Sequence, residues 1–163
     1  MLTGKDIAVL NCKKGHLALL VQNEEREWVY YSLNGTLTFI STHGSLEGAP
    51  HHNLGEQSFD SCEEFLYSNY NTDGEIGLIN QDEINGYGYN EASIIQTTET
   101  EDKEILNSFK KSVKQGYNLL WNNCVDAVQD ALNSVGIEAG NKFLPKNAFN
   151  YIIKNNNGRR VSK

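Results

Sequence analysis

The run His16-Leu17-Ala18-Leu19-Leu20-Val21-Gln22 is the feature that most constrains this chain. In an extended strand Leu17, Leu19 and Val21 face one way, while His16, Ala18 and Leu20 face the other. Both faces are apolar, which predicts a central strand covered on both sides. A partner precedes it at 6–12, and another follows at 28–33 after the polar turn Asn23-Glu24-Glu25-Arg26-Glu27. The first third of the chain therefore reads as sheet.

The pattern breaks over residues 35–52, where Gly, Ser, Thr, Pro and three of the four histidines gather, predicting a long surface loop. Ser61-x-x-Glu64 is a capping-box signature for a short helix to about residue 70 that buries Phe65 and Leu66. Residues 71–90 are rich in Asn, Asp and Gly, with a short strand expected at 75–79 and another at 92–97. The last third reads as helical. Thr98-x-x-Glu101 opens a helix carrying Ile105, Phe109 and Val113, ending at Gly116. Asn122 or Asn123 caps the next helix, with Val125, Val128, Leu132 and Val135 as its buried stripe and Gly136 as its stop. Pro145 starts a final helix with Phe149, Ile152 and Ile153, and 155–160 is expected to be a solvated end. The chain is thus an α+β single domain over 1–163, an antiparallel sheet from the N-terminal half packed against C-terminal helices.

Composition narrows the function. Of 163 residues 39% are hydrophobic, enough for one core, and the net charge is −7. An acidic balance argues against a nucleic-acid backbone as main partner, because phosphate neutralisation needs a basic face. No apolar run approaches the roughly 18 residues of a membrane span, and the N-terminus has no signal-peptide cleavage site. Synthesis in the cytoplasm is expected, with any export by a leaderless secretion route and no stable membrane association. Cys12, Cys62 and Cys124 are odd in number and widely spaced, so neither a disulfide framework nor a CxxC zinc knuckle is expected.

Cys124 has chemistry attached to its position. In Asn122-Asn123-Cys124-Val125-Asp126 it falls in the first turn of a helix, where unpaired N–H groups and the helix dipole favour a thiolate and a developing oxyanion. Asp126 acts against the thiolate, so a base is needed. His16, after Gly15 at the mouth of the central strand, is the natural one. Ala18 would let the Cys124 helix approach closely on the face that His16 shares with Ala18 and Leu20. A third group should orient the imidazole. The hairpin sets residue 16 opposite about 32–34, which makes Ser32 or Asn34 the candidate, with Tyr30 or Tyr31 behind them. Free cysteine and strand-end histidine are also common as plain packing residues. A zinc site from His43, His51, His52 and Cys62 lacks ligand spacing. Asp126 and Asp130 read as a solvated helix face, and Gly86-Tyr87-Gly88-Tyr89 lacks the Lys-Ser/Thr of a phosphate loop.

The segments Gly15-His16-Leu17-Ala18-Leu19-Leu20-Val21, Tyr30-Tyr31-Ser32-Leu33-Asn34-Gly35 and Tyr117-Asn118-Leu119-Leu120-Trp121-Asn122-Asn123-Cys124-Val125-Asp126 resemble the circularly permuted papain-like, NlpC-type cysteine hydrolases. That group includes bacterial amidases, lecithin–retinol acyltransferase-like enzymes, and toxin domains of Rhs and type VI secretion effectors. His16 before Cys124 matches the permuted order, and Leu144-Pro145-Lys146-Asn147 is similar to the effector subgroup. The resemblance implies Cys124 as nucleophile, His16 as base, a polar residue near Ser32 as third member, and Tyr117, with Asn123, as substrate or oxyanion contacts. It implies no cofactor or metal. A peptide or peptidoglycan substrate and a cognate immunity protein would be the partners. Many members carry a second histidine where this chain offers Tyr, Ser or Asn, which weighs against the acyltransferase branch. A non-catalytic binding or immunity module on the same fold is the alternative.

Overall fold

The structure is a computed structural model that describes residues 5–12, 16–37, 47–71, 88–115, 117–118, 123–141 and 144–163. Its elements run β1 (Asp6–Cys12), β2 (His16–Gln22), β3 (Trp28–Leu37), β4 (Glu47–Phe59), α1 (Cys62–Tyr67), β5 (Glu91–Gln96), α2 (Glu99–Lys114), β6 (Tyr117–Asn118), α3 (Cys124–Asn133), α4 (Pro145–Asn156) and β7 (Arg159–Ser162). The strands among the described residues form one antiparallel sheet in the order β6-β4-β3-β2-β1-β5-β7. The chain is α+β, and β2 is central, as its two apolar faces require.

Each face of the sheet has its own core. Ile7, Val9, Leu17, Leu19, Val21, Val29, Tyr31 and Leu33 meet the apolar stripes of α2, α3 and α4. Ala8, Leu10, Cys12, Ala18, Leu20 and Tyr30 lie on the other face, under α1 and Tyr89. There Tyr30, Phe65 and Tyr89 stack at centroid separations of 4.9–6.1 Å, and the two tyrosine hydroxyls share a 2.9 Å hydrogen bond.

The helix starts follow the capping chemistry. Thr98 Oγ1 accepts from Glu101 N while Glu101 Oε2 accepts from Thr98 N, closing a capping box for α2. Ser61 accepts from Glu64 N at the start of α1, although Glu64 itself accepts from Asp60 N, and this helix stops at Tyr67. Helix α3 ends at Asn133, followed by a turn in which Gly136 takes φ +80°. Pro145 occupies the first turn of α4.

Two expectations are overturned. Residues 35–52 are not a loop throughout: 35–37 complete β3 and 47–52 begin β4, with Gly35 opposite Pro50 and Leu33 opposite His52. Proline is tolerated because β4 lies near the sheet edge, bordered among the described residues by only the two residues of β6. Residues 38–46 lie outside the described residues, as does the strand expected at 75–79. The solvated tail is also corrected. Helix α4 runs to Asn156, Asn157 takes the left-handed conformation at φ 51°, and β7 pairs with β5 as the edge strand. Gly158 passes so close to Ser93 Oγ that any Cβ would collide with it. Of β7 only Val161 is buried, and Arg159 and Arg160 charge the open edge.

Candidate functional site

Cys124 is the first residue of α3, and local chemistry fixes that start. Asn123 Oδ1 accepts from Val125 N at 2.9 Å and Asp126 N at 3.1 Å, and Asp126 Oδ2 accepts from Asn123 N at 3.1 Å. This reciprocal cap is what Asn123 does in the structure, and it ties Asp126 into the helix start rather than into a solvated face. The Cys124 thiol is buried and meets the backbone N–H groups of Leu17, Val125 and Cys124 itself. Burial pushes the thiol up to about 11, with Asp126 adding to the rise and the three N–H groups opposing it. Cys124 is therefore protonated at neutral pH.

His16 stands at the start of β2, directly opposite Cys12. Its ring lies 5.7 Å from that of Tyr89, tilted by 41°. Burial lowers its pKa to about 4, so the imidazole is uncharged at neutral pH. Nε2 is buried and has no hydrogen-bond partner among the described residues.

The packing of α3 differs from the expectation. It lies on the Leu17, Leu19 and Val21 face, not on the face of Ala18 and Leu20. Branched side chains on both partners explain the choice: Val125, Val128 and Leu132 meet the larger leucine and valine residues of β2, while aromatic rings fill the side left shallow by Ala18. Cys124 thus touches the backbone of Leu17, next to His16 in sequence, while the His16 ring packs in the Tyr89 cluster across the sheet. The structure brings the two residues to one end of one strand but does not bring sulfur and imidazole together.

The other candidates divide in the same way. Ser32 is fully buried in β3 and alternates with Tyr30 onto the His16 side of the sheet. The β2–β3 register runs from Gln22 opposite Trp28 to Leu19 opposite Tyr31, and Asn34 pairs with His51 of β4. Tyr117 pairs with Gly48 in β6. The side chains of Asn34 and Tyr117 lie outside the described residues. Among the zinc candidates, His51 and His52 are β4 residues, His43 lies outside the described residues, and Cys62 is buried in α1 with its thiol pushed up to about 12, mainly by burial. No group of three metal-ligating side chains occurs among the described residues. Tyr89 folds over the core rather than lining a groove.

Two residues of this region escaped sequence reading. Cys12 faces His16 across the β1–β2 ladder, a pairing that only the register reveals. Asn11 is the polar member of the helix-facing row Ile7, Val9, Asn11, and period-two alternation would have singled it out. Replacing Asn123 with Ala is expected to cost about 1 kcal/mol of stability by removing the α3 cap. Urea unfolding checks this, and an unchanged midpoint would refute the capping role.

No described helix is long and apolar enough to cross a membrane. Compared with known proteins, the chain matches no family model, no curated protein and no solved structure.

Proposed function

We propose that the protein is a cysteine hydrolase of amide bonds, built as a circularly permuted papain-like domain, with Cys124 as nucleophile and His16 as base. The observation that carries this reading is the Cys124 sulfur at the first position of α3, against N–H donors and beside the residue that follows His16. With the thiol protonated and the imidazole neutral at pH 7, the first step is a proton transfer and not the use of a standing ion pair. It requires the His16 ring to leave Tyr89 and turn round the end of β2. His16 takes the thiol proton as sulfur bonds to the carbonyl carbon, and the Cys124 N–H holds the oxyanion. The C–N bond then breaks, the amine leaves with the proton from His16, and water hydrolyses the thioester. Ser32 or Asn34 is the proposed third member, orienting the imidazole.

Peptidoglycan peptide stems are the proposed substrate, with a protein target second. Toxicity as a secreted effector, and a cognate immunity protein in the producing cell, are proposed from the same resemblance. One observation favours a second reading, a non-catalytic binding module: the resting separation of the Cys124 sulfur from the His16 ring. Incubating purified protein with muropeptides and following new amine ends by mass spectrometry tests the proposal. Cleavage that disappears in Cys124→Ala supports the hydrolase. Equal product from both proteins, or no product from any muropeptide or protein substrate, overturns it.

A further inference from the structure

A cavity of about 420 Å3 opens where β1 ends and β5 begins, lined by Asn11, Cys12, Asn90, Glu91 and Lys146. Asn11 is 3% exposed, and its Nδ2 donates to Glu91 Oε1 at 2.8 Å. That bond fixes the amide orientation, since the reverse would set two oxygens against each other. Asn11 Oδ1 is then a buried acceptor with no hydrogen-bond partner among the described residues. The second Glu91 oxygen faces Arg160 Nη1 at 3.6 Å, and Lys146 is an exposed cation in the first turn of α4. A vacant acceptor beside a carboxylate asks for a group rich in N–H donors.

We infer that this cavity is a subsite for an amino-acid-like group: its ammonium meets Glu91 and, once the buried Asn11 amide turns toward the cavity, Asn11 Oδ1, while its carboxylate meets Lys146. The role in turnover rests on the reading of Cys124 as nucleophile, whereas the binding itself does not. Asn11 pairs with Leu17, whose N–H touches the Cys124 sulfur, so the subsite is one strand spacing, about 4.8 Å, from the reacting strand. A substrate held there presents its charged amine within about two residues of the bond attacked.

Titrating 15N-labelled protein with alanyl-alanine, N-acetyl-alanyl-alanine, alanyl-alaninamide and Nα-acetyl-lysine tests this, read at the Asn11 side-chain amide. Alanyl-alanine is expected to bind, and acetylation of its amine to weaken binding at least about tenfold. Lys146→Ala should weaken alanyl-alanine severalfold and leave alanyl-alaninamide unchanged. Glu91→Gln keeps an acceptor for Asn11 and should reduce the preference for the free amine. Tighter binding of Nα-acetyl-lysine than of alanyl-alanine would make a side-chain amine the ligand; the reverse order selects the terminal amine. Equal response to the free and acetylated dipeptides, or no response to any probe, overturns the subsite. The wild-type protein separates the two readings: binding of alanyl-alanine by protein that cleaves no muropeptide retains the subsite while the hydrolase fails.

Discussion

Replacing Cys124 with Ala is expected to lower amide hydrolysis by about three orders of magnitude or more, with the fold retained. In the proposed mechanism the sulfur is the bond-forming atom, and no other described thiol can substitute for it: Cys62 lies in α1 under the aromatic cluster, and Cys12 is on the opposite face of the sheet. Alanine leaves the α3 start intact, because the cap is made by Asn123 and Asp126. His16→Ala should lower the rate comparably. In the proposed mechanism nucleophile and base act as one unit, so the double variant should fall little below either single one. Steady-state kinetics on a muropeptide, with circular dichroism as the fold control, measures this. Cys124→Ala that hydrolyses at the wild-type rate would remove Cys124 from the mechanism.

The largest stability effect belongs to Asp102. It is 3% exposed at the start of α2, and Thr97 Oγ1 lies at hydrogen-bond distance from both Asp102 Oδ1 and the Lys5 carbonyl. Thr97 has one hydroxyl proton, so if it donates to Lys5 the second contact needs a proton on Asp102. Burial, the largest influence, raises the Asp102 pKa from 3.8 to about 6; Thr97 and Lys5 oppose the rise, and Glu101 and Asp6 add to it. The folded state therefore holds more protons than the unfolded state between those values. The stability this contributes is complete below 3.8 and is lost as pH rises through 6. Asp102→Asn, always neutral, should stabilise the protein at pH 7 by up to about 3 kcal/mol, with the gain vanishing near pH 4. His16 works in the opposite sense. Its pKa falls from 6.5 to about 4 on folding, so its contribution is present above 6.5 and lost as pH falls through 4. Urea unfolding of Asp102→Asn across pH 4–7 should accordingly show stability rising more steeply with pH than in wild type. A variant that is less stable than wild type at pH 7 would contradict the buried, proton-holding carboxyl.

The central strand, its hairpin partners and the three long helices were legible in the sequence because burial there follows one period. Helices α2 and α3 repeat apolar residues every three or four positions behind Thr98 and Asn123, and β2 is apolar on both faces. Strands β4 and β7 were not legible. Near the sheet edge β4 accommodates Gly48, Pro50 and adjacent histidines, while β7 buries Val161 alone. Their strand character comes from ladder hydrogen bonds supplied by β3 and β5, a tertiary effect that propensity cannot report. The site was half legible. Cys124 at a helix start and His16 at a strand mouth are local features. Which face of β2 receives α3 depends on how Tyr30, Phe65 and Tyr89 fill the other side, and those three residues are far apart in sequence.

Whether His16 activates Cys124 is most directly tested by the rate at which iodoacetamide labels each cysteine at pH 7, mapped by mass spectrometry in wild type and His16→Ala. A Cys124 thiol with a pKa of about 11 holds only ~1 thiolate in 10⁴ at that pH, so unassisted labelling would be slow. The account predicts that Cys124 labels faster than Cys12 and Cys62, and that this advantage collapses in His16→Ala. Slow labelling of all three thiols, unchanged by the loss of His16, would contradict the activated pair and leave a binding module.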